Sequence, residues 1–398
     1  MTTKVISFLG IKAQNTVYEY HGKSYQGNLF QIALRQFMNF DEMLVFATPE
    51  AKRETYPYLE RLDDPRIKLV DIRRGTTSDG LWQIFNQLVQ NVDDGDTVIF
   101  DITHGLRSIF FLTFLASAYL RSAKQKVKIE AILYGAYDLR QDDKPAPVID
   151  LSEFVGLLDW LTATNEFVKT GNAAALAEQL SQSNEPTLLP LAETVKNIAT
   201  GLHLLRPKET SAAAAALPQN LNLAHEVLPP PFTLLSESIQ INYGRFGQAE
   251  KTTPRDQLGY QLQMINWYHQ RGQFVHALSL GREWLVSLLC LYFKLDEKDM
   301  AARAEMEFLI GGGKTGEKIS LYFADWATVP DAERLRRLWG SPYQLANLRN
   351  DVLHSGFRKN PKPAVEVKWA VDEAIKELNS IANEAGFTRQ NPNSEATQ

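Results

Sequence analysis

The first 150 residues alternate short, continuously apolar runs with stretches of helical spacing, and few folds accommodate that pattern. The runs are Val5-Ile6-Ser7-Phe8-Leu9, Met43-Leu44-Val45-Phe46, Ile67-Lys68-Leu69-Val70-Asp71, Thr97-Val98-Ile99-Phe100-Asp101 and Ile129-Glu130-Ala131-Ile132-Leu133-Tyr134. Helical spacing falls at 29–40, 50–61, 81–89 and 106–120. Strands that carry no polar alternation are buried on both faces, and intervening helices supply the cover. The pattern predicts an α/β Rossmann-like domain with a mostly parallel sheet. In such sheets ligands bind beyond the carboxyl ends of the strands, where strand order reverses. The first and fourth strands commonly flank that point. Their ends here are Gly10 and the run Asp101-Ile102-Thr103-His104-Gly105.

The second loop carries the strongest chemical signal in this half. A helix start offers unpaired N–H groups and a positive dipole end to an anion. Gly105 permits close backbone approach, Thr103 and Ser108 add hydroxyls, Arg107 adds a fixed charge, and His104 adds a donor. A plain helix cap at Thr103, with His104 and Arg107 on the surface, is the competing reading. A dinucleotide site would need a second glycine after Gly10, but the chain reads Gly10-Ile11-Lys12-Ala13-Gln14-Asn15, so nicotinamide or flavin binding is not expected. The run Gly311-Gly312-Gly313-Lys314-Thr315 lacks the leading glycine and preceding strand of a phosphate loop, and reads as a flexible connection between helices.

From 151 to about 240 the signal is helical but irregular, with an alanine run at 212–216 and a break at Pro229-Pro230-Pro231. Helical spacing then dominates at 258–271, 273–293, 301–309, 317–324, 332–338, 343–354 and 364–385. This predicts an all-α connector followed by an all-α domain. The tail from 391 is polar and is expected to be disordered. Two segments place arginine five residues before histidine: Arg349 with His354, and Arg271 with His276. Arginine clamps phosphate through a planar fork and histidine moves protons near neutrality, a pairing suited to phosphodiester cleavage. Gly272 interrupts the second pair at a helix end, and His276 begins an apolar stripe, so His276 reads as a packing or partner-facing residue. Asn350 beside Arg349 can orient a phosphate. Arg334, Arg336, Arg337, Arg358 and Lys359 could add positive charge nearby, or form a solvated face.

Composition excludes several classes. The single cysteine, Cys290, lies in an apolar run and permits neither a disulfide nor a cysteine zinc site within one chain. Met1-Thr2-Thr3-Lys4-Val5 lacks the layout of a signal peptide, and the apolar stretch 109–120 falls short of a membrane span. A cytoplasmic location without membrane contact is expected. A net charge of −5 argues against general DNA coating but permits a local pocket for a short RNA or an anionic ligand.

Asp101-Ile102-Thr103-His104-Gly105 resembles the Asp-x-Thr-His-Gly signature of a family of CRISPR-associated proteins, and Phe8-Leu9-Gly10 and Tyr134-Gly135-Ala136 are similar to that family as well. Arg349-Asn350-x3-His354 resembles the Arg-x4-6-His signature of HEPN ribonucleases. The resemblance implies a CARF sensor domain at 1–155, a helical connector at 156–254, a HEPN ribonuclease domain at 255–387 and a disordered tail at 388–398. It implies ligand-binding roles for Gly10, Asn15, Thr48, Thr103, His104, Gly105, Arg107, Ser108 and Tyr134, and catalytic roles for Arg349, Asn350 and His354. The expected activator is a cyclic oligoadenylate, cyclic tetra-adenylate first, with no metal or other cofactor. The expected substrate is single-stranded RNA, cleaved by a homodimer or higher homo-oligomer in type III CRISPR antiviral defence. Two alternatives remain open: a ligand-gated regulator without ribonuclease activity, and an enzyme that also cleaves its cyclic ligand.

Overall fold

The computed structural model describes all residues except 106, 142–143, 184, 229–231, 249–251, 358–360 and 388–398, and excludes the Arg107 side chain. Arg358, Lys359 and the 388–398 tail therefore lie outside the described residues. The chain divides into two compact units, Met1–Asp159 and Trp160–Gln398.

The first unit holds β1 (Thr3–Phe8), β2 (Thr16–Tyr20), β3 (Lys23–Gly27), α1 (Phe30–Phe37), β4 (Glu42–Ala47), α2 (Pro49–Glu54), α3 (Tyr56–Glu60) and β5 (Ile67–Asp71). It continues with α4 (Ser78–Gln90), β6 (Thr97–Asp101), α5 (Arg107–Ala123), β7 (Lys128–Gly135), β8 (Ala146–Asp150) and the start of α6 (Ser152–Thr170). The sheet runs β3-β2-β8-β7-β6-β1-β4-β5, and β7, β6, β1, β4 and β5 are mutually parallel. This is the mostly parallel α/β sheet expected from the apolar runs. Both faces are covered: Val5, Val45, Ile99 and Leu133 pack in one cluster with α1, while Ile6, Phe46, Phe100 and Ile132 pack in the other with α4 and α5. The chain leaves β1 for β4 on one side and returns to β6 on the other, so strand order reverses between β1 and β6.

Three strands were not legible in the apolar runs. β2 and β3 form an antiparallel hairpin closed by His21 and Gly22, both at positive φ, the geometry of a two-residue type I′ turn. Their half-exposed, polar sequences carry little core signal. β8 pairs antiparallel to β7 and parallel to β2, and so extends the sheet.

The second unit continues α6 through α7 (Ala174–Gln182), α8 (Leu189–His203), α9 (Pro207–Ala215), α10 (Leu217–His225), α11 (Phe232–Tyr243), α12 (Pro254–Gln270) and α13 (Phe274–Tyr292). It ends with α14 (Met300–Ile310), a small pair of strands β9 (Lys314–Thr315) and β10 (Lys318–Ile319), α15 (Ala332–Trp339), α16 (Leu345–Leu353) and α17 (Ala364–Glu384). The helix expected at 317–324 is absent. Gly313 and Gly316 adopt positive φ, and the chain doubles back so that β10 pairs with β9 and Ser320 N–H donates to the Gly313 carbonyl at 2.8 Å.

The segments 156–254 and 255–387 contribute to a shared core. One core runs from Ala163 to Phe387. Phe167 stacks on Tyr243 with centroids 4.1 Å apart, Tyr243 packs on Trp267, and the Tyr268 hydroxyl donates to the Leu202 carbonyl at 2.6 Å. Aromatic rings from both segments bury one another. Among the described residues α13, not 109–120, is long and apolar enough to cross a membrane, and 61% of its apolar window is buried inside this core. Cys290 is buried there too.

Candidate functional site

The reversal point brings the two expected loops into contact. A Cβ on Gly10 would stand 3.1 Å from the His104 carbonyl oxygen and 3.2 Å from the His104 Cβ, so glycine lets the loops close on each other. The Gly10 carbonyl accepts from Thr55 Oγ1 at 2.5 Å. Beneath them Asp101 is fully buried, accepting from Ser7 Oγ at 2.6 Å and from the Thr103 N–H at 2.9 Å. Gln31 Nε2 donates to Ser7 Oγ at 2.8 Å and to the Phe8 carbonyl at 3.1 Å. These bonds lock the ends of β1 and β6 to α1.

Thr103 and His104 both make bonds within the scaffold. The Thr103 hydroxyl oxygen accepts the Gly135 N–H at 2.8 Å and so ties the loop to β7. His104 is half-buried. Its Nε2 accepts the Phe30 N–H at 3.1 Å, at the start of α1, which places its proton on Nδ1. Burial pushes the His104 imidazole below its ordinary range, with the nearby Asp101 charge opposing, and burial pushes the Asp101 carboxyl up. His104 is therefore neutral near pH 7 and spends its Nε2 lone pair on the scaffold.

The other expected ligand residues surround these strand ends. Thr48 caps α2, its hydroxyl accepting the Ala51 N–H at 3.3 Å. Asn15 is exposed and accepts from Gln26 Nε2 at 3.0 Å. Tyr134 is half-buried with its ring near Phe110, and Gly105 and Ser108 are half-buried at the start of α5. The side chain of Arg107 lies outside the described residues. Gln31, Ser7 and Thr55 complete the site and escaped the sequence reading. The only signal was Gln31 at an inward position of an otherwise apolar helix, where a buried amide requires partners.

In the second unit, Arg349 and Asn350 lie on α16 and His354 follows its last turn. Arg349 Nη1 donates to Asn350 Oδ1 at 3.0 Å. Arg349 is half-buried, while Asn350 and His354 are exposed. Leu353, Phe357 and Trp369 expose apolar surface in the same stretch of chain, Phe357 at 91%. Arg271 is placed differently. Its Nη2 donates to the Val168 carbonyl at 2.9 Å and to Asn242 Oδ1 at 2.7 Å, and its guanidinium lies 4.3 Å from the Trp267 ring centroid. His276 stacks on Tyr268. That pair is engaged inside the fold. Arg334 is engaged as well, in bonds to Glu377 and Glu384 at 2.9 and 2.8 Å, which removes it from the expected basic surface. Arg336 lies over Trp326, and Arg337 is exposed.

The family model of CRISPR-associated protein MJ1674, second domain, matches residues 156–248. CRISPR-associated protein MJ1674 of Methanocaldococcus jannaschii is 28% identical over 171 residues, covering 42% of this chain and 26% of that protein. The similarity is to CRISPR-associated proteins. Among solved structures, Enterococcus italicus Csm6 bound to cyclic hexa-2'-fluoro-hexa-dAMP matches with a TM-score of 0.48 and 11% identity, over 98% of this chain and 96% of that one. The family match coincides with the stretch whose sequence pattern was least regular, α6 to α11, which shares its core with the helices that follow.

Proposed function

We propose that this protein is a cyclic-oligoadenylate-gated RNA endoribonuclease of type III CRISPR defence, working in the cytoplasm as a homodimer or higher homo-oligomer. The observation that carries the reading is the position of the Asp101–Gly105 loop at the reversal point of the sheet, locked against Gly10. Strand ends and a helix start there present backbone N–H groups to an anionic ligand. The similarity to a CRISPR-associated protein supports a ligand from that defence chemistry. A cyclic ligand of adenylates, cyclic tetra-adenylate first, suits matched loops from two subunits about a two-fold axis.

Cleavage is assigned to Arg349, Asn350 and His354. The ribose 2′-oxygen attacks the adjacent phosphorus, the bond to the 5′-oxygen breaks, and the products are a 2′,3′-cyclic phosphate and a 5′-hydroxyl. Arg349 stabilises charge on the phosphate oxygens, Asn350 positions it, and His354 handles the proton. Arg349 and His354 stand about 7.5 Å apart along the axis of α16, and a second copy of α16 in a homodimer would complete the site. No metal enters this scheme. The ligand activates only if it binds the cleaving arrangement more tightly than the idle one.

The reading in which the protein also cuts its own ligand receives less support, because the Thr103 hydroxyl and His104 Nε2 are committed to backbone partners. A regulator without catalysis would leave the exposure of Asn350 and His354 without a purpose. The test is RNA cleavage with each cyclic oligoadenylate in turn, with and without chelator. Ring-dependent, chelator-resistant cleavage is expected. A strict requirement for added metal would overturn the chemistry.

A further inference from the structure

The second unit contains a cleft that the functional reading leaves unused. Two adjoining hollows of about 610 and 340 Å3 share Lys208, Ser287 and Glu297. Gln257 and Gln261 line it from one face of α12, and Glu283 and Ser287 from one face of α13. The start of α9 closes one side, and the 294–298 loop another.

Three features point to a ligand. Gln261 is only 9% exposed, and its carboxamide makes no hydrogen bond among the described residues. A buried amide demands both an acceptor and a donor. Ser287 Oγ accepts from Arg303 Nη1 at 3.0 Å, which leaves its proton available to the cleft. Finally, α9 begins at Pro207 without a side-chain cap, so the N–H groups of Lys208 and Glu209 in its first turn lack helical partners.

The charges sort in the same direction. Glu297 is paired with Lys208 at 2.8 Å, Glu283 with Arg303 at 2.5 Å and Arg282 at 2.6 Å, and Asp296 accepts the Lys298 N–H at 2.9 Å. Arg206, Lys294 and Lys298 form no ion pair among the described residues. Positive charge at an uncapped helix start suits phosphate. A carboxamide matches the N6 donor and N7 acceptor of adenine, and paired carboxylates can accept from ribose hydroxyls.

We propose that this cleft binds an adenine nucleotide, with the base edge on Gln261, the ribose near Glu297 and Ser287, and the phosphate between the start of α9 and Arg206, Lys294 and Lys298. Two sources share that chemistry: free adenosine monophosphate and the terminal nucleotide of an RNA strand. The site stands apart from RNA cleavage and does not depend on it.

The test is calorimetric titration of the full chain with AMP. One saturable AMP per chain is expected, with adenosine and inorganic phosphate each binding more weakly than AMP. Gln261→Leu should weaken AMP about tenfold. The surface pair Lys294→Ala/Lys298→Ala should weaken AMP but leave adenosine unchanged, and it guards against misfolding of the core variant. His104→Ala should leave AMP binding intact, which separates this cleft from the strand-end loops. Displacement of AMP by a short RNA ending in adenosine would assign the site to RNA ends, and failure to displace would assign it to the free nucleotide. Absence of saturable AMP binding at millimolar concentration, or affinity unchanged by both Gln261→Leu and Lys294→Ala/Lys298→Ala, overturns the proposal.

Discussion

The two regions that carry motifs use them in opposite ways. In the strand-to-helix loop Asp101, Thr103 and His104 all point their polar atoms into the scaffold, toward Ser7, Gly135 and Phe30. At the end of α16 Asn350 and His354 are exposed, and the Arg349 guanidinium donates to Asn350. A motif residue can thus serve recognition indirectly, by holding backbone N–H groups in place, or directly, by presenting its own side chain. Substitution should separate the two: the loop should lose order along with ligand, whereas α16 should lose chemistry and keep its fold.

The largest effect is expected at α16. Arg349→Ala or His354→Ala should lower the rate of RNA cleavage by about a hundredfold or more, with the melting temperature and ligand affinity unchanged. Arg271→Ala, which has the same spacing to a histidine, should do the reverse. It frees the Val168 carbonyl and Asn242 Oδ1 from their donors and should cost about 2–3 kcal/mol of stability in a denaturant titration. If Arg271→Ala abolished cleavage in a protein of normal stability, the assignment to α16 would fail.

Within the loop, Thr103→Val leaves the Gly135 N–H without its acceptor. It should cost about 1–3 kcal/mol and weaken ligand binding together with stability. Loss of ligand binding at full stability would make Thr103 a direct contact and blur the contrast between the regions.

The smallest effect concerns pH. His104 is half-buried and its folded imidazole lies below the ordinary histidine range, so the unfolded chain takes up a proton that the folded chain resists. Stability from this group is fully present above the unfolded value of about 6.5 and declines as pH falls below it. His104→Gln should remove that decline. The difference in stability between the two proteins should therefore change between pH 7 and pH 5, and a constant difference would mean that His104 is not held neutral.

How much of this was legible in sequence followed from what each signal depends on. Runs such as Val98-Ile99-Phe100 are apolar because both sheet faces are covered, so the parallel strands and their reversal point could be read directly. The β2–β3 hairpin faces solvent on one side and turns on His21-Gly22, so neither apolar content nor a strong turn pair announced it. The 317–324 segment misled because its apolar spacing resembled a helix, while Gly313 and Gly316 determine a reversal instead. The motif loop lies at the end of β6 as its sequence predicted, but the scaffold bonds of its side chains carried no local signal. Ser7 and Phe30, which supply the bonds of Asp101 and His104, and Gln31, which braces Ser7, are distant in sequence and meet only in the folded sheet. Likewise, the core joining 156–254 to the later helices rests on Phe167, Tyr243 and Trp267, whose pairing no local pattern encodes.

The most direct test is a fluorescent RNA assay of the purified full chain with and without cyclic tetra-adenylate and its larger and smaller rings, run in parallel on Arg349→Ala/His354→Ala protein. The account predicts that one ring triggers cleavage to products ending in 2′,3′-cyclic phosphate, and that the double substitution abolishes it. Cleavage that ignores every ring, or that survives the loss of both side chains, would contradict it.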